Sequence, residues 1–167
     1  MPASPEDLFA YLDRLGIKHS TVTHPPLFTV EQSQALRGQI PGGHTKNLFL
    51  KDKKDAVFLV VALEDAKIDL KGLHRRLGAS GRFSFGSADL LQELWGVEPG
   101  AVTPFGAIND TEGRVTVVLD AEMMRHDILN YHPLVNTRTT SIARNGLIKF
   151  LEATGHAPRI EAVAEPA

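Results

Sequence analysis

The chain has 167 residues, a formal charge of −2 and no cysteine. That length suits one domain able to bury most of its apolar surface without crosslinks, and the lack of cysteine excludes disulfides, thiolate nucleophiles and cysteine metal sites. The small net charge argues against a protein that coats nucleic acid nonspecifically, while a local basic surface could still hold one RNA end.

The first seven residues carry neither a basic leader nor an apolar run, and no apolar stretch is long enough to span a bilayer. A soluble, cytoplasmic protein is expected, monomeric because no heptad or bare apolar helix face declares an interface. Ser4 followed by Pro5, Glu6 and Asp7 reads as a helix start, with Leu8, Phe9, Leu12 and Leu15 as its apolar stripe and Gly16 as its end. Ile17 to Thr23 is β-branched and reads as a strand closed by His24-Pro25-Pro26. Thr29 with Gln32 has capping-box form and predicts a short helix from Val30 to Leu36. Pro41-Gly42-Gly43 then turns the chain into His44-Thr45-Lys46-Asn47-Leu48-Phe49-Leu50, an apolar strand with a lysine at its entrance. Asn47 to Leu50 and Ala56 to Leu63 are joined by a charged link suited to a hairpin.

Asp69 can cap a helix whose Leu70, Leu73 and Leu77 share a face, with Lys71, Arg75 and Arg76 on its other faces. Arg82-Phe83-Ser84-Phe85 alternates as a half-buried strand should, and Ser87 opens a helix running to Gly96. The loop from Gly96 to Gly106 is rigid at Pro99 and Pro104 and open at its glycines, so its amides can approach a ligand closely. Arg114 to Asp120 is a further strand, and Ala121 to Met124 starts a short helical turn. Asn136 to Ile142 is a strand rich in hydroxyls, and Leu147, Ile148 and Leu151 mark a last helix. One domain over residues 1–167 is expected, its tail from about 161 to 167 mobile. The whole reads as a mixed, mostly antiparallel α+β domain.

The available chemistry is narrow. The seven histidines are scattered singly, no HExxH occurs, and neither GxSxG, a P-loop nor GxGxxG is present. Ser84 lacks the glycine that a nucleophile elbow needs before it. One lysine, one or two histidines, hydroxyls and a glycine-proline loop suit electrostatic and positional catalysis on an already activated bond, with no metal or cofactor.

Thr45-Lys46-Asn47-Leu48-Phe49, the GxxxP pattern Gly100-Ala101-Val102-Thr103-Pro104, and His132-Pro133 followed by Asn136 and Thr139-Thr140 resemble the YbaK/prolyl-tRNA synthetase editing-domain family. The resemblance runs from about Pro5 to Ile160 and is strongest to the free-standing ProX/PrdX deacylases that act on alanyl-tRNA(Pro). It implies a mixed sheet curled toward a barrel, with helices around it, and ester hydrolysis without a metal or a protein nucleophile. In that picture Lys46 holds the terminal nucleotide or the carbonyl region. The amides of Gly100, Ala101 and Val102 bind the amino acid or the oxyanion, and His132 orients substrate or water, the water being assisted by a tRNA ribose hydroxyl. Leu27, Phe28, Phe49 and Val60 would wall a small pocket, with Thr45, Asn47, Pro104, Asn136 and Thr139 beside it. Arg82, and less so Lys51, Lys71, Arg75 and Arg76, would meet the acceptor end of tRNA(Pro), with prolyl-tRNA synthetase as a transient partner. A synthetase pocket built for proline cannot strongly reject a smaller apolar amino acid, and a second pocket that excludes proline by size can. Two other readings stay open. One is a deacylase for Ser-, Cys- or Thr-charged tRNA, using hydroxyls between Thr137 and Ser141; the other is a noncatalytic tRNA- or nucleotide-binding module.

Overall fold

A computed structural model describes residues 2–26 and 40–165. Its helices are α1 (Pro5–Arg14), α2 (Leu73–Leu77), α3 (Ala88–Trp95) and α4 (Arg144–Ala153). The strands are β1 (His19–Thr23), β2 (Gly43–Lys51), β3 (Val57–Leu63), β4 (Ser84–Phe85), β5 (Val115–Asp120), β6 (Ile128–Tyr131), β7 (Arg138–Ala143) and β8 (Arg159–Glu161). α1 starts as its sequence dictates: Ser4 Oγ accepts from Asp7 N, and the Asp7 carboxylate accepts from Ser4 N. Its Leu8 and Leu12 are fully buried.

The strands form one sheet in the order β1-β7-β6-β2-β3-β5-β8, with β4 attached to β2. The pairs β1·β7, β6·β7, β2·β3 and β2·β4 are antiparallel, whereas β2·β6, β3·β5 and β5·β8 are parallel. The expected curl toward a barrel does not close, because β1 and β8 end the sheet without pairing to each other. β3 is buried along almost its whole length, as a strand covered on both faces must be, and its sequence VFLVVAL is correspondingly apolar throughout. The larger core lies on one face and gathers α1, α3, α4 and the 3₁₀ turns after α3. A smaller core of Leu50, Phe58, Val60, Leu73, Leu77, Val118 and Val163 lies on the other.

Gly42 sets the approach of β2 to β6. Its φ is +104°, and a Cβ there would stand 2.8 Å from Ile128 O, so only glycine fits.

The described structure departs from the sequence reading at several elements. β6 and β8 occupy stretches expected to be loop or tail. β4 has only two residues, and Phe85 is 62% exposed instead of half-buried. The helix expected from Asp69 begins at Leu73; Asp69 Oδ1 accepts instead from Lys71 N and holds a preceding turn. Residues 161–165, expected to be mobile, are anchored: Val163 is 2% exposed, Asp120 Oδ1 accepts from Val163 N and Ala164 N, and Glu165 N donates to Lys67 O. The helix expected from Val30 to Leu36 and the final two residues lie outside the described residues. Among the described residues, no helix is long and apolar enough to cross a membrane.

Candidate active site

β2 belongs to two ladders, and the site lies where it leaves one for the other. It pairs with β6 only at Gly43 and His44, then with β3 from Thr45 onward. Thr45 Oγ1 donates to Asn130 O at 2.7 Å and closes the last rung. Beyond it the two chains part. Because side chains alternate along a strand and rung partners share a face, Lys46 lies on the face of His44 and Asn130, and the next such position after β6 is His132. Across β6 and β7 the next rung sets His132 against Thr139, and Thr139 pairs with Val22, two residues before His24. One polar face therefore carries Lys46, Asn130, His132, Thr139, Ser141 and His24.

The hydrogen bonds on this face fix most of its protons. His132 Nδ1 is 2.9 Å from Arg138 O; a carbonyl only accepts, so the neutral ring is protonated at Nδ1 and Nε2 is left as an acceptor. Nε2 has no partner among the described residues. Burial pushes the His132 pKa down, the Arg138 carbonyl partly offsets this, and the facing His24 pushes the same way as burial. The two imidazole rings are 6.2 Å apart, and His24 Nε2 is 2.7 Å from Thr139 Oγ1. Asn130 donates to Pro41 O and Gly43 O at 3.2 Å each and accepts from Ser141 Oγ at 2.5 Å, tying β7 to the entry of β2. Lys46 is half-buried, its ammonium donating to Ala66 O. Ala66 also lines a cleft of ≈ 1200 Å³ that His44, Arg76 and Asp120 border.

The GxxxP loop is fastened from below. Trp95 Nε1 donates to Thr103 O at 2.6 Å, Thr103 Oγ1 accepts from Phe105 N, and Ala101, Pro104 and Phe105 are buried in the larger core. Gly100 is the exposed member of that set, and a Cβ there would lie 3.2 Å from Asn136 Nδ2. The loop and the turn after His132 thus meet. The Ala101 amide is already committed to Glu98 O at 2.9 Å, so of the expected amide donors Gly100, Ala101 and Val102, Ala101 is excluded.

Not all the sequence-nominated residues gather. Phe49 and Val60 lie on opposite faces of the sheet, Phe49 in the larger core and Val60 in the smaller, so they cannot wall one pocket. Thr45 spends its hydroxyl on Asn130 O. Asn47 points to the face opposite Lys46, with Oδ1 buried and unpartnered among the described residues. Leu27 and Phe28 lie outside the described residues. Lys71, Arg75, Arg76 and Arg82 are exposed, whereas Lys51, half-buried, stands 3.8 Å from Asp55. Arg76 donates to Ala162 O. Sequence reasoning missed His24 and Asn130, and named Ser141 only as one of the hydroxyls between Thr137 and Ser141. The signal for His24, a histidine directly before Pro25-Pro26, was visible only as a strand end; β6, which carries Asn130, is too short to show a period.

Known proteins resemble this chain in sequence and in fold. The sequence profile of the aminoacyl-tRNA editing domain matches residues 24–150. The prolyl-tRNA synthetase associated domain-containing protein 1 of Danio rerio is 41% identical over 157 residues, covering 93% of this chain and 85% of its own. The prolyl-tRNA editing protein ProX of Acetoanaerobium sticklandii is 36% identical over 150 residues, covering 89% and 91%. A solved structure described as a candidate trans-editing enzyme for prolyl tRNA synthetase superposes with a TM-score of 0.73 over 99% of both chains; at 18% identity it is a likeness of fold.

Proposed function

This chain belongs to the aminoacyl-tRNA editing domain family, and from that premise we propose that it is a ProX-like trans-editing deacylase that frees tRNA(Pro) from mistakenly attached alanine. The observation that carries the reading is the placement of Lys46, His132 and Thr139 on one sheet face; the exposed Gly100 of the GxxxP loop lies against Asn136, in the turn between His132 and Thr139. An aminoacyl ester is already an activated bond, so orientation and charge suffice to speed its hydrolysis.

In this mechanism Lys46 gives up the Ala66 carbonyl to hold the 3′-terminal nucleotide by charge, and the Gly100 and Val102 amides meet the carbonyl oxygen as it becomes an oxyanion. Neutral His132 accepts a hydrogen bond through Nε2. Water attacks, assisted by the neighbouring ribose hydroxyl, and the tRNA leaves as its free 3′-terminal alcohol with alanine as the acid. No step requires a metal. A pocket sized for alanine excludes proline by volume. The acceptor end of tRNA(Pro) is the macromolecular partner, and prolyl-tRNA synthetase a transient one.

Deacylation of alanyl-, seryl-, cysteinyl- and prolyl-tRNA(Pro) in excess chelator, by wild type and Lys46→Ala, tests this. Alanyl ester alone should be lost, with chelator without effect and the variant at least about a hundredfold slower. Binding of tRNA without cleavage of any ester would replace the enzyme with a binding module.

A further inference from the structure

The two histidines on the polar face have their protons placed by their neighbours. His24 Nδ1, 2.7 Å from Pro25 O, and His132 Nδ1, facing Arg138 O, each carry the hydrogen in the neutral ring, so both Nε2 atoms are acceptors. His24 Nε2 takes the single hydroxyl hydrogen of Thr139 at 2.7 Å. Thr139, only 5% exposed, then has lone pairs left and no proton to give, on the same face as the open Nε2 of His132. Of the charged side chains on the adjoining strands, Arg138 stands 3.6 Å from Glu6, and Lys46, held here by Ala66 O, turns to the terminal nucleotide in the proposed mechanism.

We propose that His24 is a positioning residue: by drawing off the Thr139 proton it leaves Thr139 Oγ1 and His132 Nε2 as paired acceptors for the α-ammonium of the aminoacyl ester. The inference rests on the deacylase reading and adds the group by which the amino acid is held. An ammonium brings three donors and a charge, matched to two acceptors, one on buried Thr139 and one on half-buried His132. An N-acylated amino acid brings one uncharged N–H and a bulky acyl group, so the same pair rejects it. The site thereby spares N-blocked and peptidyl esters while cleaving free aminoacyl esters.

The test compares kcat/KM for alanyl- and N-acetylalanyl-tRNA(Pro), each divided by its spontaneous hydrolysis rate in the same buffer, since the ammonium itself labilises the ester. Wild type should prefer the free amine by about a hundredfold or more after that correction. Folded His24→Phe and Thr139→Val variants should lose about tenfold or more of this preference, mainly through KM, and Thr139→Ser should restore it. Wild type that cleaves both esters equally, or folded variants that keep the full preference, would overturn the inference and leave the deacylase reading standing. Wild type that cleaves no aminoacyl ester would overturn both. The wild-type comparison needs no variant, so a misfolded substitution does not remove the test.

Discussion

His132 shows how much one side chain's surroundings decide. Its half-buried ring resists the proton, and an acceptor must be neutral to serve. Activity should therefore hold above the ordinary imidazole value of about 6.5 and fall in a window extending downward from it, as the folded ring takes its proton. Stability follows the same sign. The unfolded ring is protonated first as pH drops, so the unfolded state binds more protons in that window and the folded state loses ground; above about 6.5 the contribution is fully present. The pH profile of kcat/KM should show this acid limb in wild type, and in His132→Gln the limb should vanish from whatever rate remains. A limb unchanged in the variant would assign it to another group. Lys46 and Gly100 were nominated in the sequence by the glycines, prolines and abrupt apolar strand that frame them, and His132 by the family resemblance. His24 was not: its role exists only through Thr139, more than a hundred residues away in the chain, and no local pattern encodes that pair.

The GxxxP loop depends on α3 for its place. The helix ends at Trp95, whose indole is fully buried, holds the Thr103 carbonyl and packs edge-on against His156 at 5.7 Å. Gly106 passes so close that a Cβ would come within 2.0 Å of the indole ring. Trp95→Phe should leave a buried carbonyl unpaired and a small void, costing roughly 2–3 kcal/mol by urea unfolding. Deacylation should weaken as the loop loosens; unchanged stability would mean another group takes over the Thr103 carbonyl. Here α3 and the hairpin of β2 and β3 were readable from capping, apolar period and a charged turn. β6 and β8 were not, because four and three residues are too few to show alternation, and the strands β2 and β5 that they join are remote in sequence.

Across the whole molecule, the mixed, mostly antiparallel α+β class was correctly read, but which strands run parallel was not legible. Short gaps between consecutive strands suggested hairpins, yet β3, β5 and β8 run parallel, with helices and the β6–β7 hairpin inserted between them. β8 closes one end of that parallel set: Arg159 donates to Leu77 O, Val163 completes the smaller core, and Asp120 spends one oxygen on the 163–164 backbone. Truncation after Pro158 should therefore lower the unfolding free energy by about 3 kcal/mol or more, read as a shifted urea midpoint. A midpoint that does not move would return the tail to a dispensable appendage. The double duty of β2 has another consequence, for how such a chain can change over time. One residue gained or lost between Gly42 and Lys46 would turn the lysine toward the larger core and bring Thr45 or Asn47, neither of them charged, to the polar face, while breaking rungs on both sides at once. Variation in length is therefore channelled into the flanking loops, and the strand between them is frozen in length even where its side chains are free to drift.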